Sequence, residues 1–317
     1  MTAAEQPGGA CAACGVTLSG RYCHACGQDT EARPRPLREM ALEAFSETSV
    51  IDGVGVRTLV AMVTRPSRIL IAYREGAGSL YASPVKIFVV VTALFLAVLN
   101  FRDIALYQFV RQAPADAVLV AIPDPDGQTV HVRGAVEQDR WMQRRIEPAV
   151  DPRIWAAVEA AAAQTSDPDD RYNLRADIVL DQAMAKGSDR MLQWLPNTLW
   201  LLMPLYALLL APLFGRRRLF MEHLVFAMWA HATAFVLLML LALVNSFGIG
   251  APAWLLAAPF MAYFVLAARR YYEVSTWSAL WRGTVHMGLY LMLVLFPVAS
   301  VIMFSGLDLG ALAQAGA

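Results

Sequence analysis

Apolar residues run along this chain in long blocks separated by polar stretches, and five blocks approach the roughly 20 residues needed to cross a bilayer as a helix. They are Pro84–Asn100, Leu195–Phe214, Leu224–Val244, Trp254–Ala268 and Val285–Phe304. Lys86, at the start of the first, has a stem long enough to reach the interface. The second carries Pro196, Pro204 and Pro212. The polar and apolar positions between residues 101 and 190 alternate on shorter periods. Val118–Ile122, a turn at Asp124–Gly127 and Gln128–Arg133 predict a β-hairpin. Glu137–Arg145, Pro152–Gln164 and Asn173–Lys186 predict helices, the second opened by Asp151-Pro152. Trp141, Ile146 and Trp155 are the expected core of this small α+β insertion. The turn Asp124-x-Asp126-Gly127 lacks the later ligands of a calcium loop and reads as a plain turn.

Ahead of the first block, Leu37, Met40, Ala41, Ala44 and Phe45 recur at helical spacing. A second helical stretch spans Gly55–Tyr73 and is interrupted at Pro66. Its Leu59, Val60, Val63, Ile69, Leu70 and Tyr73 are suited to lipid or to a helix bundle. Arg57, Arg65, Arg68 and Arg74 are suited to anionic headgroups, so the pair is expected to lie at the membrane interface. Arg33-Pro-Arg-Pro36 is a stiff basic spacer before it.

The short connections set an orientation. Arg216, Arg217 and Arg218 join spans two and three, and Arg269, Arg270 and Arg282 lie between spans four and five. Asn245–Gly250, between spans three and four, is uncharged. The positive-inside rule then places the N-terminus in the cytoplasm of an inner membrane, with the C-terminus and residues 101–190 outside. The insertion carries 15 acidic and 11 basic residues, and long loops cross the membrane regardless of their arginines. The resulting division is 1–32, a metal ribbon; 33–83, linker and interfacial helices; 84–100, the first span; 101–190, the insertion; 191–306, spans two to five; and 307–317, a tail.

Composition agrees with a membrane class. The chain has 317 residues, 57% hydrophobic and 16% charged, against about 45–50% and about 25% in soluble domains. Its 26 basic and 26 acidic residues balance, which gives no support to nucleic-acid binding. No apolar signal-peptide core opens the sequence.

The four cysteines of the chain, Cys11, Cys14, Cys23 and Cys26, form two Cys-x-x-Cys pairs, each followed by glycine (Gly15, Gly27). Two such turns close a tetrahedral thiolate shell suited to structural Zn²⁺. Iron and a pair of disulfides are the alternatives. So short a segment folds only with the metal's help. His24 is not needed as a ligand. Reduced thiolates belong in a reducing compartment, which matches the orientation read from the arginines.

Four ionisable residues sit at or inside the spans. Glu222 and His223 open the third, His231 lies eight residues on, and His286 is near the start of the fifth. As candidates for catalysis or proton transfer they would have to meet in the cytoplasmic half of the bundle. The plainer alternative is interhelical hydrogen bonding. No nucleophile elbow, phosphate loop or dinucleotide fingerprint occurs.

Cys-Ala-Ala-Cys-Gly15, a short hairpin with Leu18 and Gly20, and Tyr-Cys-His-Ala-Cys-Gly-Gln28 resemble the start of an uncharacterised bacterial family that joins such a ribbon to a multi-span membrane region. Asp52-Gly53, Thr58-Leu59, Arg65-Pro66, Tyr73 and Tyr81…Pro84 resemble its second block. Where family members carry a basic cluster, this chain has Gly76–Ser79. The resemblance implies zinc and a membrane location but no established activity. The sequence thus predicts a mainly α-helical membrane protein with a zinc ribbon for a cytoplasmic protein partner, and possible homo-oligomers. A transporter component or a lipid-directed enzyme is the alternative.

Overall fold

The computed structural model describes residues 9–11, 13–27, 53–74, 80–123, 130–215 and 218–315. The basic spacer at 33–36, the amphipathic helix expected over 37–47, Gln28, Asp52, residues 76–79, the turn at 124–127, and Arg216 and Arg217 lie outside them.

Two compact units divide the chain. One draws on the described residues of Met1–Ala97, Trp200–Met239 and Trp254–Val294; the other on Val98–Leu199, Leu240–Ala253 and Leu295–Ala317.

In the first unit the stretch before the first span forms two helices, α1 (Gly53–Thr64) and α2 (Pro66–Arg74). Pro66 has no N–H to continue α1 and instead opens α2, where the missing donor costs nothing. α1 buries Gly55, Thr58 and Met62 and leaves Val56, Val60 and Val63 exposed on another face. Thr58 Oγ1 accepts the Ala82 N–H at 2.9 Å, which ties the approach to α3 (Pro84–Phe101) onto α1. Lys86 is buried at the start of α3 rather than extended to solvent.

The second unit begins with β1 (Ile104–Gln112), which pairs antiparallel with β4 (Val136–Arg144), Tyr107 opposite Trp141. The predicted helix over Glu137–Arg145 is therefore a strand. Its Glu, Gln, Arg and Met favour helix locally, but pairing with β1 supplies every other backbone group with a partner. Long-range pairing outweighs propensity here. β2 (Val120–Pro123) and β3 (Val130–Arg133) form the expected antiparallel hairpin. α4 (Pro152–Gln164) begins as predicted, with Asp151 Oδ1 accepting the Arg153 N–H at 2.9 Å. The core under the hairpin is built from Val132, Val150, Ile154, Val158 and Leu174, with Trp155 packed against it. Trp141, an expected core residue, is 47% exposed; its ring instead meets that of Tyr107 at 4.6 Å, tilted by 51°.

α5 (Pro168–Phe214) is one helix of 47 residues. The sequence suggested separate segments ending at Lys186 and beginning at Leu195, with Gly187 between them. The glycine has another use: a Cβ there would meet Met303 Sδ at 1.8 Å, so it admits a neighbouring side chain without ending the helix. α6 (Phe220–Ser246) follows, then a 3₁₀ turn at Ala253–Leu256, α7 (Ala257–Tyr271) and α8 (Thr276–Tyr290). A π-helical turn at Leu291–Leu295 joins α8 to α9 (Phe296–Phe304). Pro297 lacks the N–H that a regular helix would require there, which accounts for the wider turn. α10 (Leu309–Ala315) ends the described chain.

Four helices among the described residues are long and apolar enough to cross a membrane: Pro84–Phe101, Asn197–Phe214, Phe220–Ser246 and Thr276–Phe304. Large apolar side chains such as Leu201, Leu240, Leu293 and Val301 are exposed on them, as expected of faces meant for lipid rather than water. The fourth expected span, Trp254–Ala268, corresponds to α7, whose 15 residues fall short by themselves.

The first unit is held by aromatic packing. Phe88 and Phe95 of α3 meet Phe235 of α6 at 6.2 and 5.1 Å. Phe214 of α5 and Phe226 of α6 meet Phe264 of α7 at 5.8 and 5.3 Å. At one end of this unit Arg74, from the last turn of α2, lies 2.9 Å from Glu273, which is 3.6 Å from Arg218. The connections after α5 and after α7 therefore share one end of this unit with α2.

Candidate metal centre and the residues within the helices

The two Cys-x-x-Cys turns fold alike. In each, the glycine after the second cysteine donates its N–H to the carbonyl of the first, Gly15 to Cys11 and Gly27 to Cys23, both at 2.8 Å. Gly15 and Gly27 have φ of 77° and 75°, a conformation costly for any residue with a Cβ. Around the first turn Ala10 bridges Thr17, and the Cys11 N–H donates to the Val16 carbonyl at 2.8 Å, a minimal hairpin. Each turn thereby buries its first cysteine and exposes its second.

All four thiols are free, and their Sγ atoms lie within 4.8 Å of one another. The cross-turn separations are 3.7 Å for Cys11 to Cys26 and 3.5 Å for Cys14 to Cys23. A tetrahedral ion with metal–sulfur bonds of about 2.3 Å requires about 3.8 Å between ligands, whereas a disulfide requires about 2.05 Å. The arrangement fits a bound metal ion. Hydrogen bonds from the Ala25 and Cys26 N–H groups lower the Cys23 thiol to about 6, against the opposing effect of burial. The Cys14 N–H also lowers the Cys11 thiol. Both shifts favour the thiolate, the form a metal requires, whereas that of Cys14 runs upward. Four sulfurs complete a tetrahedron and leave no position for substrate, so such an ion would organise the fold. His24 is exposed and outside the cluster.

The four polar residues of the helices form two groups. Glu222 Oε2 accepts the Leu219 N–H at 3.0 Å, capping α6, and the carboxylate lies 3.6 Å from Arg218. His223 is fully buried, with Nδ1 3.0 Å from the Tyr272 hydroxyl and Nε2 3.3 Å from the Gly215 carbonyl. His231 lies two turns further on, about 12 Å along α6, and has its own partners: the Ala227 carbonyl at 2.8 Å and the Tyr290 hydroxyl at 3.0 Å. His286 joins this second group. Its ring lies 4.3 Å from that of Tyr206, which is also 4.9 Å from His231 and from Tyr290. Both His286 nitrogens and the Tyr206 hydroxyl are buried without a hydrogen bond among the described residues; the Leu209 carbonyl approaches the imidazole outside hydrogen-bond geometry. Glu222 and His223 thus occupy one place, and His231 and His286 another. Sequence reasoning did not include Tyr206, Tyr272 and Tyr290, which provide most of the contacts.

Of the expected headgroup arginines, Arg57 is exposed on α1, Arg74 pairs with Glu273, and Arg65 and Arg68 line a cleft with two arginines of α7. Sequence reading had used Arg269 and Arg270 for orientation alone.

A family described as protein of unknown function (DUF3667) matches residues 56–96, which covers nearly all of α1, all of α2 and most of α3. It includes Thr58-Leu59, Arg65-Pro66, Tyr73 and Tyr81…Pro84 and does not reach the cysteines. No curated protein and no solved structure matches the chain.

Proposed function

We propose that this chain is an inner-membrane protein of a bacterium whose N-terminal turns hold one structural zinc ion in the cytoplasm and dock a protein partner there. The observation that carries this reading is the convergence of four free thiols within 4.8 Å at a spacing suited to a tetrahedral ion. A closed shell supports an assembly role over a catalytic one. Thiolates call for a reducing compartment, and the end of the first unit where Arg74 and Arg218 gather has the basic character of a cytoplasmic face. The 3₁₀ turn at Ala253–Leu256 together with α7 reaches about 30 Å, enough for a fifth crossing. With five crossings the C-terminus and residues 101–190 lie outside.

A lipid-directed enzyme using Glu222, His223, His231 and His286 would need residues that form two groups about two helical turns apart, the first three of them already bonded to other groups.

Elemental analysis of the purified full-length chain tests the proposal. We expect about one zinc per chain and its loss in Cys11→Ser/Cys23→Ser, with membrane insertion unchanged. A crosslinked cytoplasmic partner should disappear with the metal. Full zinc content in the double variant, or a reporter placing the N-terminus in the periplasm, would overturn the reading.

A further inference from the structure

The packing of α2 on α7 gathers exposed positive charge into a feature that the ribbon does not explain. Where α1 gives way to α2, the chain lines a cleft of about 450 Å³ with Arg65 and Arg68 on one wall and Arg269 and Arg270 of α7 on the other. Thr64 and Ser67 complete its polar lining. No carboxylate lies within ion-pair distance of these four arginines among the described residues, whereas the nearby Arg74 and Arg218 both have Glu273. Four guanidinium groups around one small space repel each other unless an anion enters. The cleft also opens at the first turn of α2, where the positive end of the helix dipole favours negative charge. Pro66 at the head of that helix fixes the geometry.

We infer that this cleft is a binding site for a phosphate group, gripped between the α2 and α7 arginines. Guanidinium forks match phosphate oxygens in pairs, which an ammonium group does not. The surroundings favour a phosphate carried on a lipid. α1 leads into the cleft with exposed Val56, Val60 and Val63, and Leu266 on its α7 wall is 52% exposed. A few residues past Arg270, α8 opens the apolar segment Thr276–Phe304 with the exposed rings of Trp277 and Trp281. Tryptophans at the head of such a segment mark the depth of lipid headgroups. The site is independent of the metal.

Native mass spectrometry of the full-length protein in detergent tests this with two probes: phosphatidylglycerol against phosphatidylcholine, and inorganic phosphate alone. The chain should retain phosphatidylglycerol in preference to phosphatidylcholine. Arg68→Gln/Arg269→Gln should lower that retention about tenfold or more, because two charge-assisted contacts are lost. Arg57→Gln, on α1 outside the cleft, should change it less than about twofold. Phosphatidylglycerol retained without measurable binding of free phosphate identifies a lipid site; free phosphate bound in a manner sensitive to Arg68 and Arg269, without the lipid, identifies a soluble phosphate ligand. Equal losses in the double variant and in Arg57→Gln would reduce the cleft to general surface charge and overturn the inference. So would the absence of both ligands from the wild-type chain. The substituted arginines are exposed, and an unchanged helical circular-dichroism spectrum confirms that each variant is folded.

Discussion

Two deeply buried polar sites, one in each unit, contrast: an ion held by carboxylates in one, a ring pair without a hydrogen bond among the described residues in the other. In the second, Arg111 of β1 is almost wholly buried and meets three carboxylates: Asp181 at 2.6 Å, Asp177 at 2.8 Å and Glu137 at 3.0 Å, the last without the alignment of a hydrogen bond. Those contacts tie β1 to α5 and to β4. In the first, His286 and Tyr206 are as deeply buried, yet they contact rings and apolar side chains. A buried ion needs its partners, and removing one leaves an uncompensated charge. A buried neutral ring needs much less, so its polar atoms can be spared for another use. The first arrangement specifies a fold; the second is the one in which polarity is retained without a structural debt.

Breaking the charged side of this contrast should have the largest effect. Arg111→Met leaves three carboxylates facing one another at the joint of β1 and α5. We expect a loss of about 3–5 kcal/mol, read as a lowered unfolding midpoint of the detergent-solubilised chain in denaturant. Adding Asp177→Asn and Asp181→Asn should recover much of it, because the repulsion is then gone. A single variant as stable as the wild type would show that the network is decorative.

A smaller effect follows from pH. Three carboxylates outnumber the single guanidinium, and burial, only partly offset by Arg111, raises the Asp181 carboxyl to about 6 from an unfolded value of 3.8. Below the unfolded value both states hold the proton, and the contribution of Asp181 is complete. Between the two values the unfolded chain releases a proton that the folded chain keeps, so stability falls as pH rises. Above about 6 the change is finished. The whole window is worth ~3 kcal/mol. Thermal midpoints measured across it should decline in the wild type and should lose most of that slope in Asp181→Asn. Equal slopes would assign the titration to another group.

What the sequence disclosed follows the range of the forces involved. The cysteine site was legible because its ligands come from two turns set by local spacing. The apolar helices, the break at Pro66, the Asp151 cap and the β2–β3 hairpin were legible for the same reason. The β1–β4 ribbon was not. Ile104–Gln112 is buried on both faces and shows no alternation, and Val136–Arg144 looks helical until a distant strand pairs with it. Arg111 looked like one of ten arginines in the insertion. A signal for its role was present in Asp177 and Asp181, four residues apart on one face of a predicted helix. The arginine cleft escaped notice because its walls are separated by about two hundred residues, and only the packing of α2 on α7 unites them. Tyr206 and Tyr290 were hidden by their resemblance to ordinary membrane-facing aromatics.

The smallest effect bears on the ring cluster itself. His286→Phe removes two nitrogens that make no hydrogen bond among the described residues and keeps an aromatic ring between Phe264 and Tyr206. Replacing an unsatisfied polar group by an apolar one of similar shape is close to neutral. We expect the unfolding midpoint to move by no more than about 1 kcal/mol, far less than for Arg111→Met. His231→Phe gives the internal comparison, since it breaks a 3.0 Å contact to Tyr290 and leaves that hydroxyl buried. It should cost more than His286→Phe, by about 1–2 kcal/mol. If His286→Phe instead proves the worse of the two, the imidazole holds a partner of its own, and the first unit depends on a filled polar site as strictly as the second depends on Arg111.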